Sequence, residues 1–273
     1  MRRNTGKSAK WRRLGCVVAA GAILAGIVAT SALASMTTVQ VGNLKLTFGG
    51  TVAPKALPRR KLAPIALSVS GKIQTTDGTH PSALREAIVE DENGAVNAKG
   101  VPVCQAGQLQ ARDTSAAMKV CGKALVGRGE AGAEIAFPEQ KPIEVPSPLL
   151  IFNGGTKGNK TTILLHAFIT VPVPAAIVTT ITVTQTHNRL YTVSKVPVIA
   201  GGSGSALDFH FTIGKKLFSY KHRKHTYLEA KCPNGRFTPR LVKAVFKNEA
   251  KVEGVGPETV LSGRLVVPCT PKG

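Results

Sequence analysis

Four cysteines, Cys104, Cys121, Cys232 and Cys269, are the residues of this chain whose type and number most directly imply chemistry. An even set of thiols in an exported chain closes into disulfides. Four cysteines allow three pairings, and the spacing favours Cys104 with Cys121 and Cys232 with Cys269, because each pair brackets a compact local segment. In the chain-entropy picture the first loop contributes about 3 kcal/mol and the second about 4 kcal/mol. Zinc is the competing ligand for such a set. No Cys-x-x-Cys occurs and no histidine stands at finger spacing from a cysteine, so no structural metal is expected.

The second chemical feature is a basic stretch, Lys215-Lys216-Leu217-Phe218-Ser219-Tyr220-Lys221-His222-Arg223-Lys224-His225. Lys215, Lys216, Lys221, Arg223 and Lys224 are permanent cations interleaved with Phe218 and Tyr220. Such a run holds a polyanion by releasing its counterions, with the rings adding stacking or packing. The bland alternative is a solvated hairpin that keeps the protein soluble. Arg59, Arg60, Lys61, Arg236 and Arg240 are candidates to extend the patch, although sequence alone does not place them beside it.

Other constellations fail on detail. Gly154 to Thr161 resembles a phosphate-binding loop, but Asn159 precedes Lys160 where a glycine is needed, and strand-forming Ile163-Leu164-Leu165 follows in place of a helix. It reads as a polar hairpin turn. Ser203 lies in Gly201-Gly202-Ser203-Gly204-Ser205, which lacks the last glycine of a nucleophile elbow. On a strand, His222 and His225 point to opposite faces, and no carboxylate partner is evident. Glu90-Asp91-Glu92-Asn93-Gly94 lacks the spaced ligands of a calcium loop and reads as an acidic hairpin tip. No catalytic, cofactor-binding or metal-binding residue is therefore assigned.

The elements that must position these groups are mostly strands. Apolar runs and period-two alternation rich in β-branched residues recur through the chain, as in Thr180-Ile181-Thr182-Val183-Thr184. Asp77-Gly78, Asn93-Gly94, Asn153-Gly154-Gly155, Gly201-Gly202 and Asn234-Gly235 supply turns between them. The pattern predicts an all-β protein, an antiparallel β-sandwich of about twelve strands. One short helix is expected inside the first cysteine pair, capped by Asp113 or Thr114 and closed by Val120, Cys121 and Gly122. The prolines between Pro138 and Pro148 mark either a rigid crossing or a linker. A single large domain over residues 35–273 is the first reading, and two smaller β domains divided near 142 the second.

Residues 1–34 read as a secretory signal. Met1 to Gly15 are basic, Cys16 to Ala29 are apolar, and Ala32-Leu33-Ala34 supplies small residues for cleavage between Ala34 and Ser35. An uncleaved membrane anchor is the alternative. The chain carries 36 Lys and Arg against 15 Asp and Glu, a formal charge of +21. Removing the six bases of the leader leaves thirty against fifteen, or +15. That balance favours association with anionic partners, which outside a bacterial cell are envelope polymers and lipid headgroups.

Several segments taken together carry a resemblance: Leu57-Pro58-Arg59-Arg60 with Ala63-Pro64-Ile65, Gly100-Val101-Pro102-Val103-Cys104, and Cys121-Gly122-Lys123-Ala124-Leu125-Val126-Gly127-Arg128-Gly129. Leu149-Leu150-Ile151-Phe152-Asn153-Gly154 and Tyr227-Leu228-Glu229-Ala230-Lys231-Cys232-Pro233-Asn234-Gly235 complete it. The set resembles a group of secreted, uncharacterised β-rich proteins of actinobacteria. The resemblance implies export, a β-rich fold and cysteines at these positions, and it implies no activity. The functional expectation is thus a secreted or envelope-associated, non-catalytic, disulfide-stabilised domain that associates electrostatically with anionic envelope polymers or lipid headgroups. It takes no cofactor and no specific nucleic acid. Two alternatives stand beside it. One is an extracellular hydrolase, which convergent carboxylates or a Ser–His pair would reveal. The other is a carbohydrate-binding module, made less apt by Trp11, the one tryptophan, lying in the leader.

Overall fold

The computed structural model of the chain describes residues 35–187, 189–247 and 257–273. The leader with Trp11, Cys16 and Ala34 lies outside the described residues, and Ser35, on the other side of the expected cleavage point, opens the first strand. The twelve long strands are β1 (Ser35–Val41), β2 (Leu44–Ala53), β3 (Ala66–Thr75), β4 (Ala83–Glu92), β5 (Leu125–Ile135) and β6 (Ile143–Lys157), then β7 (Lys160–Ile169), β8 (Ala175–Thr186), β9 (Arg189–Lys195), β10 (Gly204–Ile213), β11 (Arg240–Lys247) and β12 (Glu258–Arg264). They form one sheet in the order β1-β2-β3-β10-β5-β6-β7-β8-β9-β4-β11-β12. Every neighbouring pair is antiparallel. The mostly antiparallel, twelve-strand β architecture expected from the alternation is present.

The sheet wraps until its two edges meet. β1 lies against β12, with the Thr37 hydroxyl donating to the Arg264 carbonyl at 2.9 Å and Val39 packed on Gly263. Among the described residues no backbone ladder joins these two strands, so the cylinder keeps one seam held by side chains. Alternation demands only that one face of each strand be dry. Two facing sheets and one wrapped sheet satisfy it equally, and the continuous ladder decides for the second.

Connection lengths differ sharply between the two ends. At one end residues 54–65, 93–124 and 214–239 and the tail after Arg264 gather with two tight hairpins, and at the other the links are short. The long connections pair with one another in small ladders, Ala63–Pro64 and Gly94–Val96 on Leu228–Ala230, Arg236–Phe237 on Val267–Pro268, and Ala56–Pro58 on Thr270–Lys272. Leu57, Tyr227, Cys232, Phe237 and Val267 from these connections pack in one cluster with Val52, Ile151, Ile163 and Phe211 of the barrel wall. This end is therefore capped.

The disulfides fasten the two largest connections. Cys232 joins Cys269, tying the cap to the tail, and Cys104 joins Cys121. Between the latter lie α1 (Ala106–Leu109), a single turn that sequence patterning misses, and α2 (Thr114–Cys121). Asp113 caps α2 by accepting the Ala116 N–H at 2.7 Å, worth about 1 kcal/mol. Leu109, Ala117 and the cystine cover Leu150, Phe152 and Leu164 on the outer face of β6 and β7. That cover explains why Leu149–Phe152 and Ile163–Leu165 are apolar at successive positions: both faces of these two strands are buried. β6 pairs with β7 only from Leu150 onward, leaving Pro146 and Pro148 where one side of the strand is free of a ladder.

Candidate functional site

Twelve strands enclose more space than their inward side chains fill. The interior holds a cavity of about 430 Å³, within the size range of ligand pockets. Its wall is apolar: Val69 on β3, Leu149 and Ile151 on β6, Ile163 and Leu165 on β7, Ile181 on β8 and Phe211 on β10 are representative. Small residues widen it, among them Ala131 and Ala133 on β5, Ala167 on β7 and Ala206 on β10. The Phe209 ring lies over Gly71, where a Cβ would collide with it, and Gly129 lets β5 approach the His210–Phe211 backbone of β10 closely. Leu67, Val69, Leu165, Ile177, Ile181 and Leu190 point inward yet are only half-buried, the signature of apolar side chains facing space.

Polar residues in this wall include Ser70, Ser147 and Asp208 on scattered strands, and a group on three adjoining strands. Thr179 on β8, Thr192 and Ser194 on β9, and Asp91 on β4 all line it. Asp91 stands opposite Leu190, and Thr192 is the next inward residue along β9. The Asp91 Oδ1 is enclosed and has no hydrogen-bond partner among the described residues. Burial, with the charge of Glu92 adding to it, pushes the Asp91 carboxyl up to about 6, against a smaller opposing effect from the Glu92 backbone N–H. Glu229, on the strand Leu228–Ala230, belongs to the same end of the lining.

The residues singled out as a sign of hydrolysis also occur, in an unexpected place. His80 Nδ1 lies 2.6 Å from Glu134 Oε1, and its Nε2 lies 3.1 Å from Ser205 Oγ. The order Ser, His, Glu is that of a nucleophile, base and orienting acid. Here it is closed. Ser205 is 1% exposed and donates its hydroxyl to the Pro81 carbonyl at 2.5 Å. His80 and Pro81 belong to the same β3–β4 connection, so lifting Pro81 off the serine would carry the base away with it. The set works as a latch holding that connection on β5 and β10. Ser203, the serine suggested by the glycine-rich run, bonds back to the Ala200 carbonyl at 2.8 Å.

No protein family, curated protein or solved structure matches the chain.

The basic stretch forms a hairpin, Leu217–Tyr220 against Arg223–Thr226, turning at Lys221 and His222, both with positive φ. Lys221, Arg223 and Lys224 are exposed, as are Lys215 and Lys216 before them. Its rings are occupied by its own cations: Lys216 Nζ sits 5.2 Å from the Phe218 centroid and Lys221 Nζ 5.6 Å from that of Tyr220. Phe218 is buried and offers no stacking face. His225 is anchored to the Lys99 carbonyl at 2.6 Å, while His222 is exposed at the turn, so these two histidines do not converge. Among the described residues no three His, Cys, Asp or Glu side chains gather to hold a metal, and no helix is long and apolar enough to cross a membrane.

Two further buried polar groups are structural. Asn153 donates to the Pro102 carbonyl at 3.0 Å and the Val101 carbonyl at 3.3 Å, and accepts from the Tyr227 hydroxyl at 3.1 Å and the Gly155 N–H at 3.2 Å. One amide thus locks the segment before Cys104, the bulged β6 and the cap together. His166, fully buried on the outer face of β7, bonds through Nε2 to the Arg112 carbonyl at 2.8 Å, beneath the helical insert. Desolvation holds its imidazole below the usual histidine range. Sequence reading missed Asp91 by taking Glu90–Gly94 for an exposed tip. The available signal was period two: Ala87, Val89 and Asp91 alternate with Glu90 and Glu92, which puts Asp91 on the apolar face.

Proposed function

We propose that the protein is an exported binding protein for an elongated apolar small molecule, carried inside the barrel, and that it acts by holding this cargo rather than transforming it. The observation that carries the reading is the 430 Å³ apolar cavity enclosed by the wrapped sheet. Burying each methylene of a guest in such a space is worth about 0.8 kcal/mol, roughly a fourfold gain in affinity per carbon. The two disulfides support an oxidising compartment, and the signal-like leader supports export. The buried Ser205, with its hydroxyl committed to Pro81, weighs against hydrolysis.

Titration with a polarity-sensitive fluorescent fatty probe tests the reading. Saturable one-to-one binding is expected, with competing linear alcohols gaining about fourfold per added carbon until the cavity is full. Non-saturable uptake, or competition indifferent to chain length, would remove the cargo reading.

A second reading rests on the hairpin that exposes Lys221, Arg223 and Lys224. It docks the carrier on anionic envelope polymers or lipid headgroups. Retention on isolated envelope should fall steeply from low to moderate salt and with charge reversal at those three residues, leaving probe binding unchanged. Salt-independent retention rejects it.

A further inference from the structure

Resting on the cargo reading, we infer that the guest carries a hydrogen-bond-donating head, a hydroxyl or an ammonium group, which docks on Asp91 while its apolar body fills the rest of the cavity. An unpaired carboxyl in an apolar wall is costly to keep, since burial without a partner disfavours its charged form. The fold gives the carboxyl a hydrogen bond from the Glu92 backbone N–H and leaves its Oδ1 without a partner. Asp91 caps no helix, and no cation among the described residues bonds its Oδ1. Asp91 stands opposite Leu190 across the ladder and beside Gly94.

The surroundings define what the carboxyl can bind. Leu190, Ile65, Val96 and Leu228 line the same region, so a donor arriving there meets no competing water-rich surface. The carboxyl turns about a soft, two-fold torsion, which lets either oxygen face the cavity. Thr192 and Ser194 continue inward along β9 from Leu190, providing hydroxyls on the same side as the head. Glu229 on Leu228–Ala230 lines the same end, whereas Glu92 points outward and pairs with Arg189 at 3.3 Å, so it is the Asp91 carboxylate itself, with Glu229, that disfavours an acid and favours a neutral or cationic donor. Asp91 lies near the Glu92 end of β4, the end closed by the disulfide-tied connections. The head thus sits at the capped end and the tail runs toward the short connections.

The test is a competition series on the full exported chain, using one fluorescent fatty probe and four twelve-carbon competitors below their aggregation limits. These are dodecanol, dodecylamine, methyl dodecanoate and dodecanoate at pH 7.5. The alcohol, the amine or both should displace the probe at concentrations at least about tenfold below the ester and the acid, a ratio equal to one charge-assisted hydrogen bond. Asp91→Leu should abolish that preference while binding the ester as well as before, and Asp91→Asn should lose the amine preference first. Retained ester binding shows that each variant is folded. Equal displacement by all four compounds, or an unchanged ranking in Asp91→Leu, overturns the head-group inference while leaving the cargo reading intact. Absence of saturable probe binding overturns both.

Discussion

Replacing Asp91 by Asn should stabilise the empty protein at neutral pH and leave it almost unchanged at pH 4. The wild-type carboxyl is raised from 3.8 to about 6 in the fold. The folded state therefore holds a proton that the unfolded chain has already released, across the window between those values. Stability contributed by the protonated form is present below about 4 and is lost as pH rises through 6. The shift corresponds to about 3 kcal/mol at pH 7.5, since one unit is worth about 1.4 kcal/mol. Asparagine has nearly the same shape and does not ionise, though its amide still lacks a partner, so a net gain of about 1–3 kcal/mol is expected. Urea unfolding of both forms, with disulfides intact, gives the difference at each pH. A difference that does not grow between pH 4 and pH 7.5, or that favours the wild type at pH 7.5, would refute the burial argument.

His166 gives the opposite slope. Its pKa is lowered by burial, so the fold loses stability as pH falls below the ordinary histidine value of about 6.5. Protection factors over residues 106–121, corrected for the intrinsic pH dependence of amide exchange, should fall between pH 6.5 and 5, and His166→Phe should remove that fall; protection factors indifferent to pH would contradict it. Asn153→Ala strips four buried groups of their partner, Val101, Pro102, Gly155 and Tyr227. A loss of at least about 3 kcal/mol in urea unfolding is expected, and a loss under about 1 kcal/mol would show that water replaces the amide.

The sequence made legible whatever is local. Cys104–Cys121 and Cys232–Cys269 pair as their spacing suggested, with separations of 17 and 37 residues. Of the two residues the sequence offered, Asp113 and not Thr114 caps α2. The turn at 158–159 stands where glycine and asparagine meet, whereas Asn153-Gly154-Gly155, read as a turn, is a bulged continuation of β6 that feeds Asn153 inward. What stayed hidden is non-local. Ser205 and His80 are 125 residues apart and His80 and Glu134 54, distances at which no spacing rule operates. Wrapping of the sheet is equally invisible, because Ile181 and Val183 face a dry interior whether the opposite wall is a second sheet or the same one. A cavity is harder still to read, since it consists of side chains such as Ala131 and Ala167 being smaller than the space around them.

An unfilled interior has consequences for how the fold depends on its disulfides. At about 24 cal/mol per Å³, a cavity of 430 Å³ forgoes on the order of 10 kcal/mol relative to a packed core. The two cystines restore about 3 and 4 kcal/mol through their loops, which offsets most of that deficit. A guest would offset the same deficit from inside: at a hundred times its Kd it adds about 2.7 kcal/mol. Disulfide and cargo should therefore substitute for one another. Reduction of both bonds is expected to lower the melting temperature of the empty protein strongly, and saturating dodecanol should recover part of the loss. The same addition should move the oxidised form by a similar free energy. If the reduced, empty chain melts where the oxidised one does, the interior is not costing what its volume implies. The cavity would then be packed or filled in solution.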